Sequence, residues 1–507
     1  MSGRDTDKGI VLSPIPSDGH GAMFIGSPSS AESVEELAHG VSVFGQVHTI
    51  RVHEISPPTV GSSGENLLSR IRSSFLGRVY LGYLKRFPVI RGAAIWLWVN
   101  GYPLVQRYIV VPVSFVRLLF DEQRRSRLRW RELVSQSDYL VRNAGQPCRL
   151  AAETEVDTPI PLAFPEEDRR YLVVPHERYV FPEILVAEVP GAMVHGGSNL
   201  VLAGDVVLHH DLYDFPRDST SEELHGRTLI DPKRGRIRWF LHDEVPEHMS
   251  RAAAFADACA PNYAHWLTEV LPRIAMFCAE ERFAKVPLIV DAGLHRNLME
   301  SLLLVAGGER EIVCLPIGRA ITVDQLYITA ACGYVPFGRR NTKLVGHSHG
   351  VFSPVALEKV RARLIEAARQ SGGVELPEKI YLRRTSGTRK VTNVAEIEKL
   401  LVSHGFAIVE PEKLSFLEQV RLFSNAKKIV GSSGAALANI IFCRPGTEIN
   451  IFISAFSNTS YWYWQDIACA TGNVVKYFFG KALQNSKVNI HSDFQVDPNA
   501  IQKYFNS

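Results

Sequence analysis

His265 and Glu269 stand four residues apart in the run Asn262-Tyr263-Ala264-His265-Trp266-Leu267-Thr268-Glu269-Val270-Leu271-Pro272-Arg273. On a helix such positions share a face, so the carboxylate can orient the imidazole and raise its basicity. A second group suits an anion. Arg383, Arg384, Arg389 and Lys390 form a basic loop after the strand-like run 378–382, and guanidinium groups make bidentate, charge-assisted contacts with phosphate oxygens. A third group is the small-residue segment Gly431-Ser432-Ser433-Gly434-Ala435-Ala436, which ends an apolar strand at a helix start. Backbone can come close there, and N-terminal amides face an anion or ribose hydroxyls. Together these groups make a nucleotide or nucleotide sugar the first hypothesis. Each also has a plainer reading: a histidine satisfied in a helix contact, a solvated loop, a tight strand–helix junction.

Elements that alternate in type must position these residues. Apolar periodicity predicts a helix over 265–279, a strand at 286–290, a helix near 296–306, and strands over EIVCLP and DQLYITA. An amphipathic helix over 354–370 follows the GHSHG run at 346–350, where a domain boundary is placed. Beyond it come a strand at 379–383, helix 394–403, strand 406–409, helix 415–426, strand 428–431, helix 434–442, strand 447–453, helix 461–470 and strand 473–479. Strands joined by helices of this length make a doubly wound parallel sheet, which binds ligands at the strands' C-terminal ends. Pro272 removes a helical donor opposite Thr268 and is expected to kink the motif helix. The aromatic cluster Tyr461-Trp462-Tyr463-Trp464 reads as a stacking platform or as core.

With 507 residues, 46% of them apolar, the chain can bury two or three cores. Its formal charge of +3 excludes a whole-molecule polyanion binder, and no nucleic acid partner is expected. The seven cysteines lack a Cys-x-x-Cys pair and read as reduced, in a cytoplasmic protein. The first residues lack a signal-peptide pattern. Asn66–Phe120 carries many arginines, apolar runs such as AAIWLWV and no acidic residue. That composition fits docking on the anionic inner face of a membrane, or an amphipathic subdomain packed on the rest.

The NYAHWLTEVLPRI motif at 262–274, the spacing of Arg384, Arg389 and Asn393, and the segment 414–452 together resemble glycosyltransferase family 61. The resemblance covers about 180–480. It implies an α/β, GT-B-like fold with two doubly wound Rossmann-type domains facing a cleft; short alternating strands over 171–242 add a β-rich segment, and the composition of 66–120 a basic helical N-terminal extension, which lies outside the resemblance. The expected organisation is a poorly ordered segment at 1–65, the helical extension at 66–170, a β-rich segment plus acceptor-side domain at 171–348, a nucleotide-sugar domain at 349–485 and a tail at 486–507. The implied activity is inverting transfer from a nucleotide sugar, usually a UDP-sugar, to a glycan or lipid-linked acceptor in cell-surface polysaccharide synthesis. No metal or other cofactor is expected.

In that scheme His265 is the general base, with Glu269 as its partner or as the base itself. Arg383, Arg384, Arg389, Asn393, Ser432, Ser433, Gly434, Ala435 and Asn439 would hold the donor. Asn262, Tyr263, Trp266 and Arg273 would meet the acceptor. The chain departs from the family at Ser433, where histidine is common, and at Asn450, where an acidic residue is common. A non-catalytic scaffold and a nucleotide-sugar epimerase are the competing readings, and oligomeric state is left open.

Overall fold

The computed structural model describes residues 42–43, 46–47, 51–57, 129–143, 145–172, 176–224, 227–239, 246–307, 310–336, 338–339, 350–371, 376–384, 388–455, 462–483 and 492–506. The basic segment Asn66–Phe120, most of the boundary run 346–350, Tyr461 and the centre of the basic loop (385–387) lie outside them. The described residues form a mixed α/β architecture built on two main sheets.

The larger sheet has twelve strands. Ala320–Thr329, Glu247–Ala254, Leu288–Asp291, Glu311–Leu315 and Arg51–Glu54 lie side by side in that order, each pair parallel. The long strand Ile184–His195 pairs antiparallel with Ala320–Thr329 and carries the sheet on into Val201–Ala203 and Val206–His209. The β-rich segment is thus continuous with the α/β part.

Residues 129–170 correct the expected helical extension. Only Gln136–Arg142 is an α-helix there, beside the strands Arg131–Ser135, Cys148–Ala151, Thr154–Asp157 and Leu162–Phe164. These strands are too short to show a period, and their partners are distant in sequence. Arg131–Ser135 pairs with Val206–His209, and Leu162–Phe164 crosses to the second sheet. Likewise Arg51–Glu54, expected to be poorly ordered, is an edge strand.

The second sheet contains, in chain order, β1 (Lys379–Leu382), β2 (Ala407–Val409), β3 (Lys428–Ser432), β4 (Glu448–Ser454) and β5 (Val474–Ala482). Their spatial order is β2-β1-β3-β4-β5, all parallel. β4 reads EINIFIS and is buried on both faces beyond its first residue, as a strand with elements packed on either side requires. A capping box between Ser415 and Glu418 starts helix Phe416–Asn425, and Ser353 with Pro354 starts helix Pro354–Gln370. The expected tail is part of this unit. Phe494–Gln495 pairs with β5, and helix Pro498–Asn506 buries Ile501 against Leu401 and Phe406.

One hydrophobic cluster spans both units, joining Val270, Ile274 and Leu302 to Val360, Phe423 and Ile441. The motif helix therefore lies between the sheets rather than on one of them. Among the described residues no helix is long and apolar enough to cross a membrane, and all seven cysteines are free thiols.

Candidate functional site

The strand order β2-β1-β3-β4-β5 reverses between β1 and β3, and ligands of open α/β sheets bind at that point, outside the strands' carboxyl ends. A cavity of about 320 Å³ lies there. Leu382, Arg383 and Arg384 enter it from the end of β1, Pro411 and Glu412 from beyond β2, and Ser432, Gly434 and Ala435 from the end of β3. Its opposite wall comes from the other unit through Tyr263, His295 and Asn297.

Arg384 is the part-buried cation of this cavity. Its Nε donates to the Thr388 carbonyl at 2.7 Å, and burial, with Arg389 beside it, pushes its guanidinium down to about 10. Two like charges held together, one of them desolvated, favour an anion between them. Arg389 sits at φ 65°, a left-handed turn that brings the loop back. Gly434 leaves room for the guanidinium, because a Cβ there would lie 2.2 Å from Arg384 Nη1 and push it aside. Helix Ala435–Phe442 begins immediately after it, so its first amides reach the same cavity.

The other expected donor residues separate. Arg383 lines the cavity, yet its guanidinium is committed to Glu398 at 2.6 and 2.7 Å and to Glu410 at 3.1 Å, which hold it firmly charged. It anchors the base of the loop. Asn393 is turned to the backbone of Val496, donating at 2.8 Å and accepting at 3.1 Å, and lies off the cavity lining. Ser433 is buried, and its Oγ accepts from Trp464 Nε1 at 3.1 Å. Asn450 sits fully buried near the start of β4, donating to Glu448 at 2.9 Å, away from the strands' carboxyl ends.

Asn439 and Tyr263, assigned above to different substrates, meet across the units. The Tyr263 hydroxyl donates to Asn439 Oδ1 at 2.7 Å, and Asn439 Nδ2 donates to Gln419 Oε1 at 2.8 Å. Gln419, His295, Asn297 and Glu412 are cavity residues that sequence reasoning missed. Gln419 alone carried a signal, as a polar residue at a core-facing position of an amphipathic helix.

His265 and Glu269 form the expected pair, with Nδ1 and Oε1 2.5 Å apart. Glu269 Oε2 also accepts from the Val335 backbone at 3.1 Å, so the carboxylate is fixed at both oxygens. Burial pushes the imidazole toward neutrality, but the charge and hydrogen bond of Glu269, with Asp257 further off, outweigh it and raise its pKa. Asn262 caps the helix start by accepting from Ala264 N at 3.0 Å. The kink expected from Pro272 takes the form of a π turn over Trp266–Val270, in which the Leu271 amide bonds to the Trp266 carbonyl. Such turns recur at functional sites.

Trp266 corrects the expected acceptor platform. It is 0% exposed, and its indole donates to Ser301 at 2.8 Å within the shared core. Arg273 donates to Asp257 at 3.1 Å and lines a smaller cavity of about 30 Å³ that Glu269 also borders. His265 lies outside the lining of the larger cavity, which Tyr263, one half-turn earlier, enters. Among the described residues no group of three His, Cys, Asp or Glu side chains is placed to hold a metal ion.

Residues 263–450 match the family model described as Glycosyltransferase 61, a span that holds the His265–Glu269 pair, the basic loop and the small-residue segment. No curated protein matches the chain.

Proposed function

We propose, from the glycosyltransferase family 61 domain matched over residues 263–450, that this glycosyltransferase carries out an inverting, metal-independent transfer from a nucleotide sugar, with GT-B-like use of the two units. The donor, a UDP-sugar by family resemblance, lies in the cavity at the β1/β3 reversal. The acceptor is a glycan or lipid-linked sugar of cell-surface polysaccharide synthesis, met at the inner face of the cytoplasmic membrane. The observation that carries the reading is Arg384, held part-buried beside Arg389 at the strand ends where a diphosphate would sit.

Inversion needs one base and one stabilised leaving group. Glu269 holds His265 Nδ1–H, which leaves Nε2 as the acceptor of a proton. The acceptor oxygen attacks the anomeric carbon as its proton passes to Nε2 and the bond from that carbon to the diphosphate oxygen breaks. The charge released on the diphosphate falls to Arg384, Arg389 and the first amides of helix Ala435–Phe442, work that needs no metal.

Titration of the purified protein with UDP-, GDP-, CMP- and dTDP-sugars tests this. Binding of one donor, with slow hydrolysis and a loss of about 10-fold or more in affinity in Arg384→Ala, is expected. Interconversion of free donors would instead indicate an epimerase, and no nucleotide binding at all a scaffold.

A further inference from the structure

The smaller cavity, which Glu269 borders, has a composition that the donor site does not explain. Its wall is polar: Asn199, Tyr213, Thr220, Asp257, Arg273 and Tyr334 all face it. Asn199 Nδ2 donates to Asp257 at 3.0 Å, and the Tyr213 hydroxyl reaches Asn199 Oδ1 at 3.4 Å. The His210 ring, also on the wall, stacks on Tyr213 with centroids 4.0 Å apart. Two buried atoms, His210 Nδ1 on the wall and Glu222 Oε2 one residue along from the wall residue Ser221, have no hydrogen-bond partner among the described residues. Glu222 is 1% exposed and spends its other oxygen on Ser198. Buried polar atoms of this kind are stabilised by groups that donate and accept at once, which hydroxyls do.

Size and charge narrow the occupant. A volume of about 30 Å³ holds about two water-sized groups, too little for a sugar ring but enough for a carbon with its hydroxyl. The charge of Arg273 is answered by Asp257, so the wall offers no salt-bridge partner to a carboxylate or phosphate. Glu269 gives the chamber its relation to the chemistry, since it borders the space and holds the base.

We propose that this chamber is an acceptor subsite that takes the exocyclic hydroxymethyl arm of a neutral pyranoside, setting the ring so that a neighbouring hydroxyl meets His265. This rests on the reading of His265 as the base. It keeps Arg273 in acceptor recognition and puts Tyr213 and Asn199 in place of Asn262 and Trp266.

The test uses the full chain without donor and matched glycosides in saturation-transfer NMR. p-Nitrophenyl β-D-galactopyranoside is compared with p-nitrophenyl α-L-arabinopyranoside, and the β-D-glucopyranoside with the β-D-xylopyranoside, since each second member lacks only the arm. Binding about tenfold tighter for the hexoside is expected in at least one pair. Tyr213→Phe, which removes a hydroxyl, and Ala331→Val, which fills the chamber, should each erase that preference while UDP still binds. Should Ala331→Val misfold, Tyr213→Phe alone decides. No glycoside binding, equal affinities within both pairs, or a preference that survives Tyr213→Phe would overturn the subsite. UDP binding and its loss in Arg384→Ala are read separately, so failure of the chamber and failure of the donor site are distinguishable.

Discussion

At Gly434 one carbon atom decides whether Arg384 can occupy the cavity. A Cβ would meet Nη1 at 2.2 Å, and the guanidinium is the far end of a side chain tied to Thr388 at its Nε. Gly434→Ala is therefore expected to displace the arginine rather than unfold the protein. Calorimetry with UDP should show about a 10-fold loss of affinity at nearly unchanged Tm, and wild-type affinity would mean that Arg384 does not touch the diphosphate. The base is tested by pH. Glu269 raises the pKa of His265, and only the neutral imidazole accepts a proton, so the acidic limb of kcat reports that raised value. In Glu269→Gln the raising charge is gone, and the limb should move to lower pH while kcat falls. A limb that stays put would assign the titration to another group. His265→Ala is expected to lower kcat by about 10²-fold to 10⁴-fold with donor affinity kept.

The π turn over Trp266–Val270 is what an element contributes to that base. Pro272 has no N–H to offer the Thr268 carbonyl, and the ladder is taken up instead by the longer bond from Leu271 to Trp266. Pro272→Ala restores the donor and lets the turn close as an α-helix, which would rotate His265 and Glu269 away from Val335. Hydrogen exchange should show new protection at position 272 with Tm kept or raised, while kcat drops. Unchanged kcat would make the turn incidental. Pro272 and the i, i+4 pair were legible because both are local in the sequence. So were β1 to β5, whose apolar runs and flanking helices recur every few tens of residues. Trp266 was misjudged because its helix is buried on both sides, between two units, and a single helical period cannot report that. Asn393 was misassigned and the strands at 131–164 were missed for one reason: their partners, Val496, Val206–His209 and β5, are set by tertiary pairing that local sequence does not encode.

For the whole molecule, Asp291 ties the two halves of the large sheet and should dominate the response of stability to pH. It ends the strand Leu288–Asp291 and accepts from Gly197 N at 2.6 Å, beyond the antiparallel half, and from Asp257 N at 2.7 Å, beyond the neighbouring parallel strand. Burial pushes its carboxyl up to about 7 in spite of both amides. A carboxyl whose folded value lies above its unfolded one binds more protons when folded. Its stabilisation is complete below the ordinary 3.8 and is lost as pH rises through about 7. Asp466, buried and raised to about 6, adds the same sign over a narrower window, and His265, raised from 6.5, adds it above that value. Glu410 and Glu448 are held low by their partners and act oppositely, only below their ordinary 4.5. His209 and His210, held below their ordinary 6.5 by burial, also act oppositely below that value, so the sum has one direction between about pH 6.5 and pH 7.5, where Tm should fall as pH rises. Asp291→Asn offers one carbonyl oxygen to two amides, so its Tm should be lower at each pH, yet the decline across the window should be shallower than in the wild type. An equal slope in the variant would locate the proton on another buried group, with Asp466→Asn the next to be measured.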